Sequence, residues 1–131
     1  MSTSTIEPAP GRIIAPNGVV AIEPAEKRVR VVFNGEVIAD TTGAIRLIEA
    51  GHGPVLYLPL ADLEQAFLEP TDTHTTCPRK GEASYYSIVV GDKRSVDAIW
   101  TYPENLPDAL DISGYVAFYP DRIDRWEELD V

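Results

Sequence analysis

The sequence predicts one small, mainly β domain built from antiparallel strands. Many short stretches are rich in β-branched and aromatic residues, and Gly, Pro, Asn or Asp bounds each of them. These stretches do not alternate with helical patterns of roughly 10–15 residues, as the strands of a parallel α/β sheet would. With 131 residues, 44% of them hydrophobic, the chain is long enough to bury one core without disulfides.

Residues 1–16 are rich in Ser, Thr, Pro and Ala, and we expect them to form a flexible N-terminal tail. Residues 17–131 are predicted to form a single domain, because no internal repeat and no linker interrupts them.

The first half of this domain contains a predicted hairpin. A short strand is expected at Val19–Ile22 and a stronger one at Val29–Phe33. The dipeptide Asn34-Gly35 follows, which is the best short-range signal of a hairpin turn, and Glu36–Ala39 is expected to form the second strand of the hairpin. Another strand is expected at Val55–Leu58.

The second half begins with apolar residues at helical spacing, which predict a short amphipathic helix over Leu60–Leu68. Strands are expected at Ala83–Val90, Val96–Tyr102 and Ile112–Tyr119. In the first of these, alternation places Tyr86, Ile88 and Val90 on one face and Ala83, Tyr85, Ser87 and Val89 on the other. The segment 121–131 is predicted to be a solvated, charged end with Trp126 packed against the body.

The charge of the chain bears on its partners and its location. Its 21 acidic and 11 basic side chains give a net charge of −10, which disfavours nucleic acid and anionic membranes as partners. A single cysteine excludes an intrachain disulfide, and we find neither a secretory signal nor an apolar run of about 20 residues. We therefore expect a cytoplasmic protein.

The stretch from Thr75 to Gly81 is the densest in reactive groups and is expected to form a shaped loop between the helix and a strand. Three hypotheses remain open for it. Cys77 could be a nucleophile whose thiolate is favoured by Lys80, Arg79 or His74. Arg79 and Lys80 could bind a phosphate or carboxylate. Alternatively, Cys77 is a small buried side chain and both bases are solvated.

A second candidate is the turn from Glu49 to Pro54, in which Gly51 and Gly53 flank His52 and Glu49 could orient the imidazole. A solvated surface turn is the plainer alternative. A third group consists of aromatic residues on the predicted strands, which could line a pocket or fill a core. They are Tyr57, Tyr85, Tyr86, Trp100, Tyr102, Tyr115, Phe118 and Tyr119.

No metal or cofactor is predicted. A zinc site needs four ligands with paired spacing, whereas this chain has Cys77 and two histidines, His52 and His74, that are far apart. The bases near Cys77 also lack the glycine spacing of a phosphate-binding Walker loop.

Several of these stretches, in this order, resemble a bacterial and fungal family known as domain of unknown function 427, sometimes labelled nucleotidyltransferase-like. The most specific part is Cys-Pro-x-Lys-Gly-x-Ala-x-Tyr-Tyr from Cys77 to Tyr86, followed by Trp-x-Tyr-Pro from Trp100. The resemblance covers about residues 17–127. The resembling segments are Arg30–Asp40, Leu47–Pro59, Asp62, Thr76–Pro78, Lys80–Gly81, Ala83–Tyr86, Trp100–Pro103 and Gly114–Tyr119.

The resemblance implies a β-tent (Mss4-like) fold, in which two antiparallel sheets are joined at one end and enclose a groove for a small ligand, with one or two short helices. Relatives with this fold usually carry two Cys pairs that hold a structural zinc. Because Cys77 is single, zinc is not expected here. The sequence also departs from the family at Arg79, where an aromatic residue is more common.

We therefore expect a small-molecule-binding domain in which Tyr57, Lys80, Tyr85, Trp100 and Tyr102 contact the ligand. In this hypothesis Lys80 is the cation for an anionic group, and Glu49 with His52 forms a polar handle. Cys77, Lys80, His52 and Glu49 are the candidates for a catalytic role, if there is one. The alternatives are a protein-interaction module, and a nucleotidyltransferase-like or thiol-dependent enzyme. The ligand, the oligomeric state and the reaction are not encoded in any recognisable motif.

Overall fold

The computed structural model describes residues 6–78, 80–105 and 110–131, and within them eleven strands form two antiparallel sheets. The larger sheet has the order β1-β2-β5-β6-β10-β9-β8-β7, and the smaller has the order β11-β3-β4. The predicted class, mainly β with two antiparallel sheets, is confirmed and is consistent with a β-tent. The bounds are β1 Ile13–Ile14, β2 Val20–Pro24, β3 Lys27–Phe33, β4 Glu36–Thr41, β5 Ile45–Glu49, β6 Val55–Pro59, β7 Leu68–Cys77, β8 Gly81–Val90, β9 Lys93–Asn105, β10 Tyr115–Phe118 and β11 Arg125–Asp130.

The predicted hairpin joins β3 to β4. Asn34 and Gly35 have φ angles of 49° and 79°, the left-handed conformation that a two-residue hairpin turn requires at both central positions. The Asn34 amide also donates a hydrogen bond of 2.9 Å to the carbonyl of Val90, which ties the turn to the larger sheet.

The predicted helix over Leu60–Leu68 is wrong. Two single 3-10 turns, Leu60–Asp62 and Gln65–Phe67, stand in its place. Between them the backbone is extended, because Glu64 donates its N–H to the carbonyl of Ile38 in β4 at 2.8 Å and Leu63 bridges Ala39. Pairing with β4 therefore interrupts the helix.

Strand β7 was not predicted, because most of its residues are polar and most of its side chains are exposed. It is an edge strand of the larger sheet, the kind of position where a proline such as Pro70 is tolerated. As a result, the stretch Thr75–Gly81 is not a loop after a helix. It comprises the end of β7, a tight turn and the start of β8.

Strand β11 was not predicted, although most of its side chains are exposed, as expected for a solvated C-terminal end. It pairs with β3 from Arg125 opposite Val32 to Asp130 opposite Lys27, and the latter pair forms a 2.9 Å ion pair. The predicted packing of Trp126 is confirmed, since its ring lies 6.2 Å from that of Phe118 at the margin of the core.

Part of the predicted N-terminal tail joins the larger sheet. Ile13 and Ile14 pair with Ile22 and Ala21, and Ala15 is buried. Residues 1–5 lie outside the described part of the chain, so the mobility of the tail stays a prediction.

Two hydrophobic clusters hold the fold together. One lies between the sheets and contains Val31 and Ile38 of the smaller sheet with Ile88 of the larger. The other lies on the opposite face of the larger sheet and contains Tyr57 and Tyr85. Strand β8 contributes to both, as its alternation predicts.

The larger sheet curls over this second cluster. Glu49 is the last residue of β5, and Lys80 directly precedes β8. These two strands are four places apart in the sheet, so in a flat sheet they would be separated by about 19 Å. Their side chains nevertheless meet at 2.5 Å. Register shifts in β8, between Glu82 and Ser84 and again between Tyr86 and Ile88, provide the bending that such a curl requires.

Candidate functional site

The inner face of the curled sheet holds a cavity of about 320 Å³. The structure brings seven of the eight predicted site residues together around it. They are Glu49, His52, Tyr57, Lys80, Tyr85, Trp100 and Tyr102.

Each of these side chains reaches the cavity for a local reason. Trp100 and Tyr102 are two residues apart on β9, so both point to the same face of the sheet. His52 lies on the turn between β5 and β6, where Gly51 takes a φ of 85°.

Lys80 is positioned by the turn that follows Cys77. Its backbone N–H donates to the carbonyl of Cys77 at 3.2 Å, which closes a four-residue turn with Pro78 at the second position, where proline is favoured. Gly81 follows with a φ of 112°, which favours glycine. Arg79 lies outside the described residues.

The ion pair between Lys80 and Glu49 is the polar centre of the cavity. Lys80 Nζ donates to Glu49 Oε1 at 2.5 Å, and the two side chains are only 11% and 15% exposed. His52 Nε2 lies 3.7 Å from Glu49 Oε2, but its side chain is 64% exposed. Lys80 Nζ also lies 5.8 Å from the centre of the Tyr102 ring. The cation predicted to be available for an anion is thus already balanced by a carboxylate.

Aromatic side chains form the wall opposite this pair. The indole N–H of Trp100 donates to the Tyr57 hydroxyl at 3.0 Å, and the two rings meet edge to face at 6.2 Å. Tyr119 packs on Trp100 with ring centres 4.5 Å apart. The Tyr85 hydroxyl is hydrogen-bonded to Thr75 Oγ1 at 2.8 Å. These contacts fix the positions of the rings that line the cavity.

The hydroxyls of Tyr57 and Tyr102 stay neutral near pH 7. Burial raises the pKa of Tyr57 to about 12, and the hydrogen bond from Trp100 offsets only part of that effect. Burial also raises the pKa of Tyr102. Neither hydroxyl is therefore suited to act as a base at neutral pH, but both can take part in hydrogen bonds.

Cys77 is the predicted candidate that does not line the cavity. It is partly buried and packs at the edge of the cluster that contains Tyr57 and Tyr85. His74, which was considered as its partner, lies on β7 with Nδ1 3.7 Å from Glu82 Oε1.

Four lining residues were not assigned to the site from the sequence: Leu47, Gly53, Val55 and Tyr119. Leu47 and Val55 face each other across β5 and β6. Their position was hidden because β5 itself was not recognised. Tyr119 was noted among the strand aromatics, and the signal that could have assigned it is its place directly after β10, next to β9.

A nucleotidyltransferase needs acidic residues that hold Mg²⁺. Two acidic residues, Asp40 and Asp62, line a separate cavity. Arg28 hydrogen-bonds to Asp40 through two nitrogens and lowers the pKa of that carboxyl, while Asp62 accepts a 2.6 Å hydrogen bond from Thr41. In the described part of the chain, no three His, Cys, Asp or Glu side chains are grouped so that they could hold a metal ion. The arrangement gives a nucleotidyltransferase-like reaction no support.

The comparison with protein families identifies a family for the chain. The model of the family described as "Domain of unknown function (DUF427)" matches residues 21–129, which include every residue that lines the cavity. The comparison with curated proteins found no significant match. Among the described residues, no helix is long and apolar enough to cross a membrane.

Proposed function

The chain belongs to the family described as Domain of unknown function (DUF427), and we propose that its cavity binds a small, planar, uncharged ligand. One observation carries the proposal: side chains from β5, β6, β8 and β9 converge on a single cavity around a shielded Lys80–Glu49 pair. A few convergent polar groups among apolar walls are typical of small-molecule sites.

The size of the cavity favours a small ligand. Its volume of about 320 Å³ is at the lower end of the roughly 300–1,000 Å³ found for such sites. A metabolite with one ring fits this range better than a dinucleotide does.

The charge of the cavity favours an uncharged ligand. Because Glu49 neutralises Lys80, an anion would place a second negative charge beside a carboxylate that is largely shielded from water. A neutral ligand avoids that cost. It could accept a hydrogen bond from Lys80 Nζ and donate one to Glu49, since an ammonium group has three donors and a carboxylate several acceptor sites. This replaces the expectation that Lys80 binds an anionic group.

The aromatic wall favours a planar ligand. Trp100 is held by Tyr57 and Tyr119, so its ring does not have to be ordered when a ligand arrives. Such preorganisation lowers the entropic cost of binding.

The experiment is a titration with a set of small neutral aromatic compounds, matched acids and matched amines. Binding is followed by the fluorescence of Trp100 in a Trp126→Phe background and by NMR. We expect neutral compounds to shift the signals of Tyr57 and Trp100. We expect Lys80→Ala to weaken binding, whereas Lys93→Ala, which removes an exposed lysine, leaves it unchanged. The proposal is wrong if only the acids bind, or if no compound perturbs these residues.

A further inference from the structure

We propose that the ligand of this cavity is a carbonyl compound, an aldehyde or ketone, which Lys80 Nζ captures as an iminium ion. This inference rests on the proposed function, and it specifies the chemical class of the ligand and the atom that bonds to it.

The surroundings of Lys80 carry the inference. Its side chain is 11% exposed and lines a cavity open to small molecules, and the Glu49 carboxylate contacts its Nζ at 2.5 Å. Lysine amines form Schiff bases with carbonyl substrates, and a carboxylate within hydrogen-bond reach can act as the base that takes up and returns the protons. Glu49 is placed to be that base.

The charge balance of the cavity favours this chemistry over the binding of an anion. An iminium nitrogen keeps the positive charge of the ammonium group that it replaces. The pair with Glu49 therefore persists after capture, and no unbalanced charge is created in a shielded site. An uncharged carbonyl compound is also the class of ligand that the cavity favours before any bond forms.

The step balances in atoms and charge. The Lys80 ammonium gives one proton to the Glu49 carboxylate, and the neutral amine attacks the carbonyl carbon, so that a C–N bond forms. A proton moves from nitrogen to oxygen to give a neutral carbinolamine. Glu49 then protonates the hydroxyl, which leaves as water, and the nitrogen lone pair completes the C=N bond. The products are the iminium ion, one water molecule and the Glu49 carboxylate, and no oxidant or reductant takes part.

The chain provides its own controls. It has only three lysines, Lys27, Lys80 and Lys93. Lys27 is partly exposed and paired with Asp130 at 2.9 Å, and Lys93 is exposed at the start of β9. One peptide map therefore compares the shielded lysine with two others in the same molecule.

The test treats the whole protein with benzaldehyde and cyanoborohydride, which reduces an iminium ion to a stable secondary amine, and locates the label by mass spectrometry. We expect the labelling rate of Lys80 to exceed that of Lys93 by a factor on the order of a hundred, which is what a positioned acid–base group contributes to a rate. Lys80→Arg keeps a cation beside Glu49 but cannot form an iminium ion, so it should lose this label. Lys93→Arg should leave the labelling of Lys80 unchanged, and Glu49→Gln should slow it.

Benzyl alcohol, which has the same shape but no carbonyl group, separates this inference from the proposed function. It should compete with labelling and shift the NMR signals of Tyr57 and Trp100. If it binds there but benzaldehyde labels Lys80 no faster than Lys93, the iminium inference is overturned and the binding site stands. If neither compound binds and Lys80 is labelled no faster than Lys93, both proposals fail for this class of ligand. Because the comparison with Lys93 is made in the unaltered protein, the test does not depend on the folding of a variant.

Discussion

Glu49 and Lys80 join two strands that are four places apart in one sheet, through an ion pair of 2.5 Å. The contact exists only because the sheet is curled, so the pair both closes the curl and forms the polar centre of the cavity. Stability and the proposed ligand binding therefore depend on the same two side chains, and the predictions below begin with them.

Removing either partner of this pair should destabilise the fold. Lys80→Met and Glu49→Gln should each lower the free energy of unfolding by about 2 kcal/mol, less than for a fully buried pair because both groups keep some exposure. The double variant should cost less than the sum of the two, since no charge then lacks its partner. Urea unfolding measures all three variants.

The matched control for the ion pair is the more exposed Arg28–Asp40 pair on the smaller sheet, at 2.7 Å. Asp40→Asn should cost under about 1 kcal/mol, as exposed ion pairs do. Strictly additive effects of Lys80→Met and Glu49→Gln would show that the pair is not coupled and would contradict the assigned role.

Stability should fall at high pH because of Tyr57. Its pKa is raised from 10.0 to about 12 by burial, so the folded state keeps a proton that the unfolded state loses. This contribution to stability is fully present below pH 10 and is lost as the pH rises to about 12. The free energy of unfolding should fall by about 2–3 kcal/mol in total. Denaturant unfolding across this range measures it, and Tyr57→Phe should make the decline shallower. An equal decline in the phenylalanine variant would assign it to other groups, such as Tyr102, whose pKa is also raised.

The two glycines beside His52 should respond differently to alanine. Gly51 has a φ of 85°, a conformation that a side chain strains, so Gly51→Ala should destabilise the protein by about 1–2 kcal/mol. Gly53 does not have a positive φ, and no atom lies within 4 Å of the position that a Cβ would take. Gly53→Ala should therefore be neutral or slightly stabilising. Thermal unfolding of the two variants gives the comparison, and equal losses would show that the positive φ of Gly51 does not determine the cost of a side chain in this turn.

The C-terminal strand should be required for folding. Removal of residues 124–131 deletes all of β11 and the contact of Trp126 with Phe118, and it should abolish cooperative unfolding. Trp126→Ala should cost about 2 kcal/mol and the more exposed Leu129→Ala much less. Circular dichroism and urea unfolding check both points. If a binding partner no longer bound the truncated protein, the loss would therefore reflect unfolding. A protein-interaction role has to be tested with point substitutions on β11.

The strands that could be predicted from the sequence are those with alternating apolar residues. Val29–Phe33 and Ala83–Val90 bury side chains in the core, so their patterns are strong. β7 and β11 are edge strands whose side chains are mostly polar or charged. They are held by backbone hydrogen bonds to the neighbouring strand rather than by an apolar face. Nothing in their composition distinguishes them from solvated loops, and that is why both were missed.

Most residues that line the candidate cavity could be predicted from the sequence, but their arrangement could not. Tyr57, Trp100 and Tyr102 were identified because aromatic residues on strands either fill a core or line a pocket, and here they contribute to both. The pairing of Lys80 with Glu49 was not predictable, because it depends on how strongly the sheet curls. That curl arises from register shifts in β8, which leave no clear mark in the sequence.

The pairing of β11 with β3 also bears on how quickly the protein forms. Lys27 and Asp130 are 103 residues apart in the chain, yet they are neighbours in the smaller sheet. Closing so long a loop costs entropy before the contacts inside it can compensate. A fold dominated by distant pairings of this kind reaches its native state in milliseconds to seconds rather than microseconds. Substitutions in the β3–β4 hairpin, which closes over two residues, and in β11 should therefore separate early from late steps in refolding kinetics.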